Sequence, residues 1–252
     1  MSEKRVAFSI VLPCYNEADN LPLLLEAYRA VWPGFSAELI LVNNGSTDHT
    51  ADVLHRELGK PEYSFARTVL VPRNQGYGFG VAAGLRAARG QAIGISHADM
   101  QCSAADLFTA YARLTSDPAP ERVFVKGRRG KRPFGPSLIT NTMATIATIV
   151  LMKPLSDINA QPKVFHRTFL SEIPNPPDGF EFDLYLLYRA QAAGLKVVTI
   201  PVNFGARAHG ASKWAFSLAS RRRHVWATIK FIFHLRFASA TKHHHERKLI
   251  CE

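Results

Sequence analysis

The segment Ile95-Ser96-His97-Ala98-Asp99-Met100-Gln101 follows a short apolar run and ends in a carboxylate and a carboxamide two positions apart. Both are hard oxygen donors. At the end of a strand, alternate side chains share a face. Asp99 and Gln101, with His97 on the same alternation, are therefore expected to face one small cation. Mg²⁺ or Mn²⁺ held by one or two protein oxygens completes its shell with waters and substrate phosphates. The chain's formal net charge of +11 also favours phosphate-bearing partners. Taken alone, a strand ending in polar residues is an ordinary strand end, so the reading depends on what surrounds it.

The elements that would position this segment alternate. Val6–Leu12, Glu38–Val42, Thr68–Val71, Ala92–Ser96 and Arg122–Val125 read as short buried strands. Asn20–Val31, Thr47–Leu58, Gly80–Ala88 and Ala104–Leu114 read as helices between them. This alternation predicts βαβ units and a mostly parallel sheet flanked by helices, an α/β architecture. Ser46 and Asp48 are candidate N-caps of the second helix. Ligands of such sheets bind beyond the carboxyl ends of the strands. Polar clusters occupy four of those ends: Pro13 to Glu17, Asn43 to Asp48, Asn74 to Gly78, and His97 to Gln101. Four such clusters predict one shared site. Further on, a turn-rich basic stretch at 130–136 precedes helical patterns at about 138–152 and 181–193, then a strand at Val197–Val202. A long helical pattern runs from about Trp214 to Phe237 and leads into a polar tail.

A chain of 252 residues with 47% hydrophobic composition supports one large domain, or one domain with an appendage. The division expected is 1–213 and 214–252. Three scattered cysteines form neither a metal spacing nor a disulfide framework, which fits a reducing cytosol. The first residues do not read as a secretory signal, and no apolar run reaches the roughly 20 residues a spanning helix needs.

Five short motifs, in order, resemble glycosyltransferase family 2, the inverting nucleotide-sugar enzymes with the Rossmann-like GT-A fold. They are Leu12-Pro13-Cys14-Tyr15-Asn16-Glu17, Val42 to Asp48, the glycine-rich Asn74 to Gly84, His97 to Gln101, and Arg207 to Lys213. The similarity looks closest to the dolichol- and polyprenyl-phosphate mannose synthase-like branch. It implies donor contacts from Pro13, Tyr15, Asn16, Glu17, Asn44, Ser46, Gly76, His97, Ala98, Arg207 and Lys213. It also implies Mg²⁺ or Mn²⁺ on Asp99 and Gln101, with Arg128 near an acceptor phosphate. Three positions depart from the family pattern. Its paired aspartates after the second strand are Asn43 and Asn44, and the first aspartate of its metal motif is His97. Asparagine donates as well as accepts hydrogen bonds, so the base preference does not carry over. Imidazole suits Mn²⁺ poorly; His97 reads as a phosphate contact or a structural residue. A second acceptor arginine of the branch has no match, because Pro136 falls near its place.

Sugar transfer needs the diphosphate leaving group stabilised as the glycosidic bond breaks. A dication on Asp99, with Arg207 and Lys213, would supply that charge. A hydroxyl acceptor needs a general base, whereas a phosphate acceptor is already an anionic nucleophile. Glu181 and Asp183 stand where relatives carry acids near the acceptor; each is a base, a solvent-facing residue or a helix-terminal charge. The final helix combines aromatics with Arg221, Arg222, Arg223, Lys230 and Arg236. It either lies on an anionic bilayer as a peripheral anchor at the cytoplasmic face or packs on its own domain. The expected partners are a nucleotide-sugar donor, a lipid phosphate or glycan acceptor and a membrane surface. Nucleic acid is not expected, since RNA-reading aromatic signatures are missing. The alternatives are transfer to a glycan hydroxyl and a degenerate, non-catalytic family member.

Overall fold

The computed structural model describes residues 5–130, 134–205, 207–209 and 222–237, with the backbone alone over 134–140. Seven strands form one sheet: β1 (Phe8–Cys14), β2 (Ala37–Asn44), β3 (Ala66–Val71), β4 (Ala92–Ile95), β5 (Val123–Arg129), β6 (Lys163–His166) and β7 (Lys196–Val202). Their order is β3-β2-β1-β4-β6-β5-β7. Every strand runs parallel to its neighbour except β6, which is antiparallel to both β4 and β5. The helices are α1 (Leu21–Ala30), α2 (Thr50–Leu58), α3 (Tyr77–Ala87), α4 (Ala104–Thr115), α5 (Phe134–Leu151) and α6 (Phe182–Ala192). A last helix covers 222–237.

The central strands are apolar on both faces, as parallel strands covered by helices must be. Phe8, Ile10, Leu12, Leu39 and Leu41 are wholly buried in one cluster. Burying each such side chain is worth about 1.5–3 kcal/mol relative to leaving it in water. On the other face α3 lies close against the sheet, and Gly84 is what permits it. A Cβ there would stand 2.3 Å from a Val11 methyl carbon.

The predicted strands and helices that fall on described residues are present, the final helix over 222–237 only since 214–221 lie outside the described residues, and β6 is an addition. Four residues beginning with a lysine carry no periodicity signal. They are held as a strand by β4 and β5 on either side, through pairs such as Gly94 with Val164 and Val125 with Val164. The second helix starts at Thr50, later than expected. Asp48 does accept the Thr50 amide (3.0 Å), but the Ser46 hydroxyl is drawn to the Asn16 amide instead (3.1 Å). Pro136 lies in the first turn of α5, where a missing amide proton costs no helical bond.

The chain gathers into two compact units, one of residues 1–131 and 159–211, the other of 132–158 and 212–252. The first contains the whole sheet. In the second, Ala147, Leu151, Leu155 and Ile232 are buried, while Ile149, Met152, Trp226, Phe233 and Phe237 are exposed. Arg222, Arg223, Lys230 and Arg236 are exposed beside them, and Arg221 lies outside the described residues. No helix among the described residues is long and apolar enough to cross a membrane.

Candidate active site

From β1 the chain runs outward to β2 and β3, then returns to the other side of β1 as β4. Such a reversal opens a crevice at the carboxyl ends of the two strands. The loops after β1 and β4 therefore meet there, and both contain a non-glycine residue in the left-handed region, Asn16 (φ 58°) and Met100 (φ 61°). That conformation is uncommon outside glycine, and for a bulky Met it needs the surroundings to enforce it.

The pair Asp99 and Gln101 does not sit on a strand. β4 ends at Ile95, and residues 98–101 are bends. Strand alternation identified the pair, but the geometry that joins them is a turn. The left-handed Met100 folds the chain back, and Asp99 Oδ1 accepts the Gln101 amide at 3.2 Å. Asp99 is only 4% exposed. A buried carboxylate needs a partner, and Arg207 supplies it at 2.8 Å from Oδ2. The same guanidinium lies 4.0 Å from Glu17 Oε1. Glu17 Oε2 accepts from Asn20 Nδ2 at 2.6 Å. Burial pushes the Glu17 carboxyl above its usual range, the Asn20 hydrogen bond pulls it back, and the nearby Asp99 charge pushes it up again.

The loops after β1 and β2 are laced together. The Asn16 amide donates to Ser46 Oγ, the Asn16 side-chain oxygen accepts from the Thr47 amide, and the Glu17 amide donates to Thr50 Oγ1. Pro13 and Tyr15 are half-buried beside them. Gly45 is left-handed (φ 67°), and a Cβ there would stand 2.2 Å from the Asn74 backbone nitrogen. Asn44 is turned inward. Its Nδ2 donates to the Gly76 carbonyl at 2.9 Å, and its Oδ1 is buried without a hydrogen bond. Asn44 thus ties β2 to the start of α3. Ala98 is likewise a core residue, its side chain packed in the main apolar cluster.

His97 lies beside the Tyr77 ring, with centroids 5.9 Å apart. Burial lowers its pKa, against the raising charges of Asp99 and Asp183. The imidazole is therefore neutral at neutral pH. The residues present fit a hard dication completed by substrate phosphates: one carboxylate and one amide oxygen on a turn. No group of three His, Cys, Asp or Glu side chains among the described residues could form a cage from protein alone.

Arg128 is exposed at the carboxyl end of β5. Its neighbour Arg129 covers the Phe204 ring at 5.6 Å. Asp183 is corrected as a candidate base. Its Oδ1 accepts from Lys163 Nζ at 2.7 Å and from Gln161 Nε2 at 3.1 Å, and both charged side chains are buried. Its charge is the counter-ion of Lys163, and a proton taken there would leave the ammonium unpaired. Glu181 occupies the N-cap position of α6, half-buried and making no capping bond. The sequence reading missed Lys163 and Gln161 because their partner is about twenty residues away and β6 gives no signal. It missed Asn20, whose Nδ2 reaches both Glu17 and the His209 carbonyl. Lys213 lies outside the described residues.

A family model, glycosyl transferase family 2, matches residues 9–170, well over half of the chain. An uncharacterized glycosyltransferase of Mycobacterium tuberculosis is 36% identical over 84% of this chain and 91% of its own length. An undecaprenyl-phosphate 4-deoxy-4-formamido-L-arabinose transferase of Photorhabdus laumondii is 28% identical over 82% of this chain, which spans 63% of that protein. Among solved structures, glucosyl-3-phosphoglycerate synthase from Mycobacterium tuberculosis in complex with Mn²⁺, uridine diphosphate and glucosyl-3-phosphoglycerate superposes with a TM-score of 0.68. That match has 20% identity and covers 91% of this chain and 80% of the other. The sheet and its helices are those of the GT-A fold.

Proposed function

The chain belongs to glycosyl transferase family 2, and from that premise we propose that it moves a sugar from a nucleotide-sugar donor to a polyprenyl phosphate at a membrane surface. The observation that carries the donor half is the turn at Met100, which gathers Asp99 and Gln101 beside Arg207 and Glu17 in the β1/β4 crevice. Asp99 and Gln101 would hold Mg²⁺ or Mn²⁺, which when bound supplies positive charge for the departing diphosphate. Mn²⁺ with UDP, and Mn²⁺ with GDP-mannose, are bound in similarly folded enzymes. Arg207 faces the same place with a planar fork of donors suited to phosphate oxygens. Pro13, Tyr15, Asn16, Glu17, Ser46, Gly76 and neutral His97 line the donor side, and Lys213 belongs to the same motif.

For the acceptor, the decisive residue is Asp183. With its charge committed to Lys163, little basic function remains, and an anionic acceptor needs none. Arg128, exposed at the strand end, would receive its phosphate. Relatives named as undecaprenyl-phosphate and dolichyl-phosphate transferases support this branch. Exposed Trp226, Phe233 and Phe237 beside Arg222, Arg223, Lys230 and Arg236 suit an anionic bilayer at its cytoplasmic face. Each basic residue near that surface adds ~1 kcal/mol. One observation favours a second reading, transfer to a glycan hydroxyl: the Glu181 carboxyl is half-buried at the start of α6 and makes no capping bond.

The test is donor turnover with Mn²⁺ and either undecaprenyl phosphate or a glycan acceptor. Product on the lipid phosphate, retained in Glu181→Gln, is expected. Product only on the glycan, lost in Glu181→Gln, would replace the first reading with the second.

A further inference from the structure

Both residues offered to the dication are engaged by one short segment that follows β7. Arg207 is on Asp99 at 2.8 Å. Gln101 Nε2 donates to the Gly205 carbonyl at 3.1 Å, and the Gly205 amide donates back to the Gln101 carbonyl at 2.9 Å. Phe204 forms a bridge with Cys102, and the His209 carbonyl accepts from Asn20. The segment is thus pinned on both sides of Arg207, and its guanidinium stands between Asp99 and Glu17.

A guanidinium and a dication cannot share one buried carboxylate without strong repulsion, because little water screens them there. One must leave. If Arg207 leaves with no anion to receive it, Glu17 alone remains, and the charge of the displaced arginine is poorly met. A diphosphate removes that obstacle, since its oxygens match the guanidinium fork. Resting on the reading above, we infer that Arg207 is a built-in counter-ion that competes with the dication for Asp99. The chain then takes up divalent metal together with a nucleoside diphosphate and only weakly without one. Arg207 thereby sets the metal affinity of the free chain and its coupling to nucleotide.

Mn²⁺ binding to the full chain tests this, read from the loss of the free-ion electron paramagnetic resonance signal, first with Mn²⁺ alone and then with UDP or GDP added. Arg207→Gln should bind Mn²⁺ alone at least tenfold more tightly than wild type and lose most of the gain that the diphosphate gives. Arg207→Lys keeps the charge and should stay near wild type with Mn²⁺ alone, which separates charge competition from a general loosening of the segment. Asp99→Asn should bind Mn²⁺ weakly in every condition. Equal Mn²⁺ affinity in wild type and Arg207→Gln, with Asp99→Asn still defective, would overturn the inference and leave the proposed function standing. A gain in Arg207→Lys as large as in Arg207→Gln would overturn it too. Unchanged binding in Asp99→Asn would remove both.

Discussion

Two buried carboxylates, one at each edge of the sheet, are each paired with an arginine, and they are built differently. Glu38 lies at the amino edge. It accepts from Ser9 Oγ at 2.6 Å, Arg67 Nε at 2.8 Å and the Arg89 amide at 2.8 Å. Ser9 Oγ in turn accepts from the Gly90 amide, and Arg67 also donates to the Ala87 carbonyl. The partners of Glu38 lie on β1, on β3 and in the turn into β4. Asp99, at the carboxyl edge, has its arginine on a segment after β7, and that arginine is divided between two carboxylates. A closed set of hydrogen bonds among strands can only hold the sheet together. A carboxylate whose counter-ion comes from a connecting segment can exchange it, which is what binding a charged ligand requires.

The contrast is broken most sharply by Asp99→Asn. Donor turnover should fall by about 10³-fold, the scale of a lost electrostatic contact at the reacting centre. The thermal midpoint should not fall, because the amide removes a buried charge whose partner is partly exposed. A large loss of stability with turnover intact would make Asp99 a second Glu38.

Lys163→Met asks to which class the third buried pair belongs. Leaving Asp183 buried without its ammonium should cost about 3 kcal/mol in urea unfolding. Adding Asp183→Leu should recover much of it, since an apolar pair replaces the ionic one. If the double variant regains stability but not turnover, the pair serves the site as well as the fold.

The smallest expected effect is at Glu38. Burial alone would raise its pKa, but the bonds from Arg67, Ser9 and the Arg89 amide outweigh it and the carboxyl titrates below its ordinary 4.5. A carboxyl depressed by folding stabilises above its unfolded pKa, and the contribution is lost as pH falls through the folded value. Glu38→Gln should therefore cost about 2 kcal/mol at pH 7, and the gap to wild type should close below pH 4.5. Turnover per folded molecule should be unchanged. A gap that does not narrow at all as pH falls below 4.5 would show that packing, not charge, is what Glu38 supplies.

The main elements were legible because their signals are local. Apolar runs such as Phe8–Leu12 have nowhere to go but the interior, and Gly45, Gly76 and the polar clusters mark strand ends in the chain itself. The candidates themselves were legible too, since Asp99, Gln101, Glu17 and Arg207 fall in recognisable motifs, and the structure brings them together. Their relations were not. Asn44, expected among the donor contacts, faces α3. Asp183, expected as a base, a solvent-facing residue or a helix-terminal charge, instead neutralises Lys163 of a strand that no pattern announces.

The amino-acid order by itself determined the α/β layering, the carboxyl-edge location of the polar clusters and the residue types available for phosphate and metal. Tertiary structure alone decided which charges neutralise one another. Side-chain pairing depends on distances between segments more than a hundred residues apart, such as Asp99 and Arg207. Burial then multiplies the energy of each pairing, so the same carboxylate becomes a fixed brace or an exchangeable site according to where its cation is anchored.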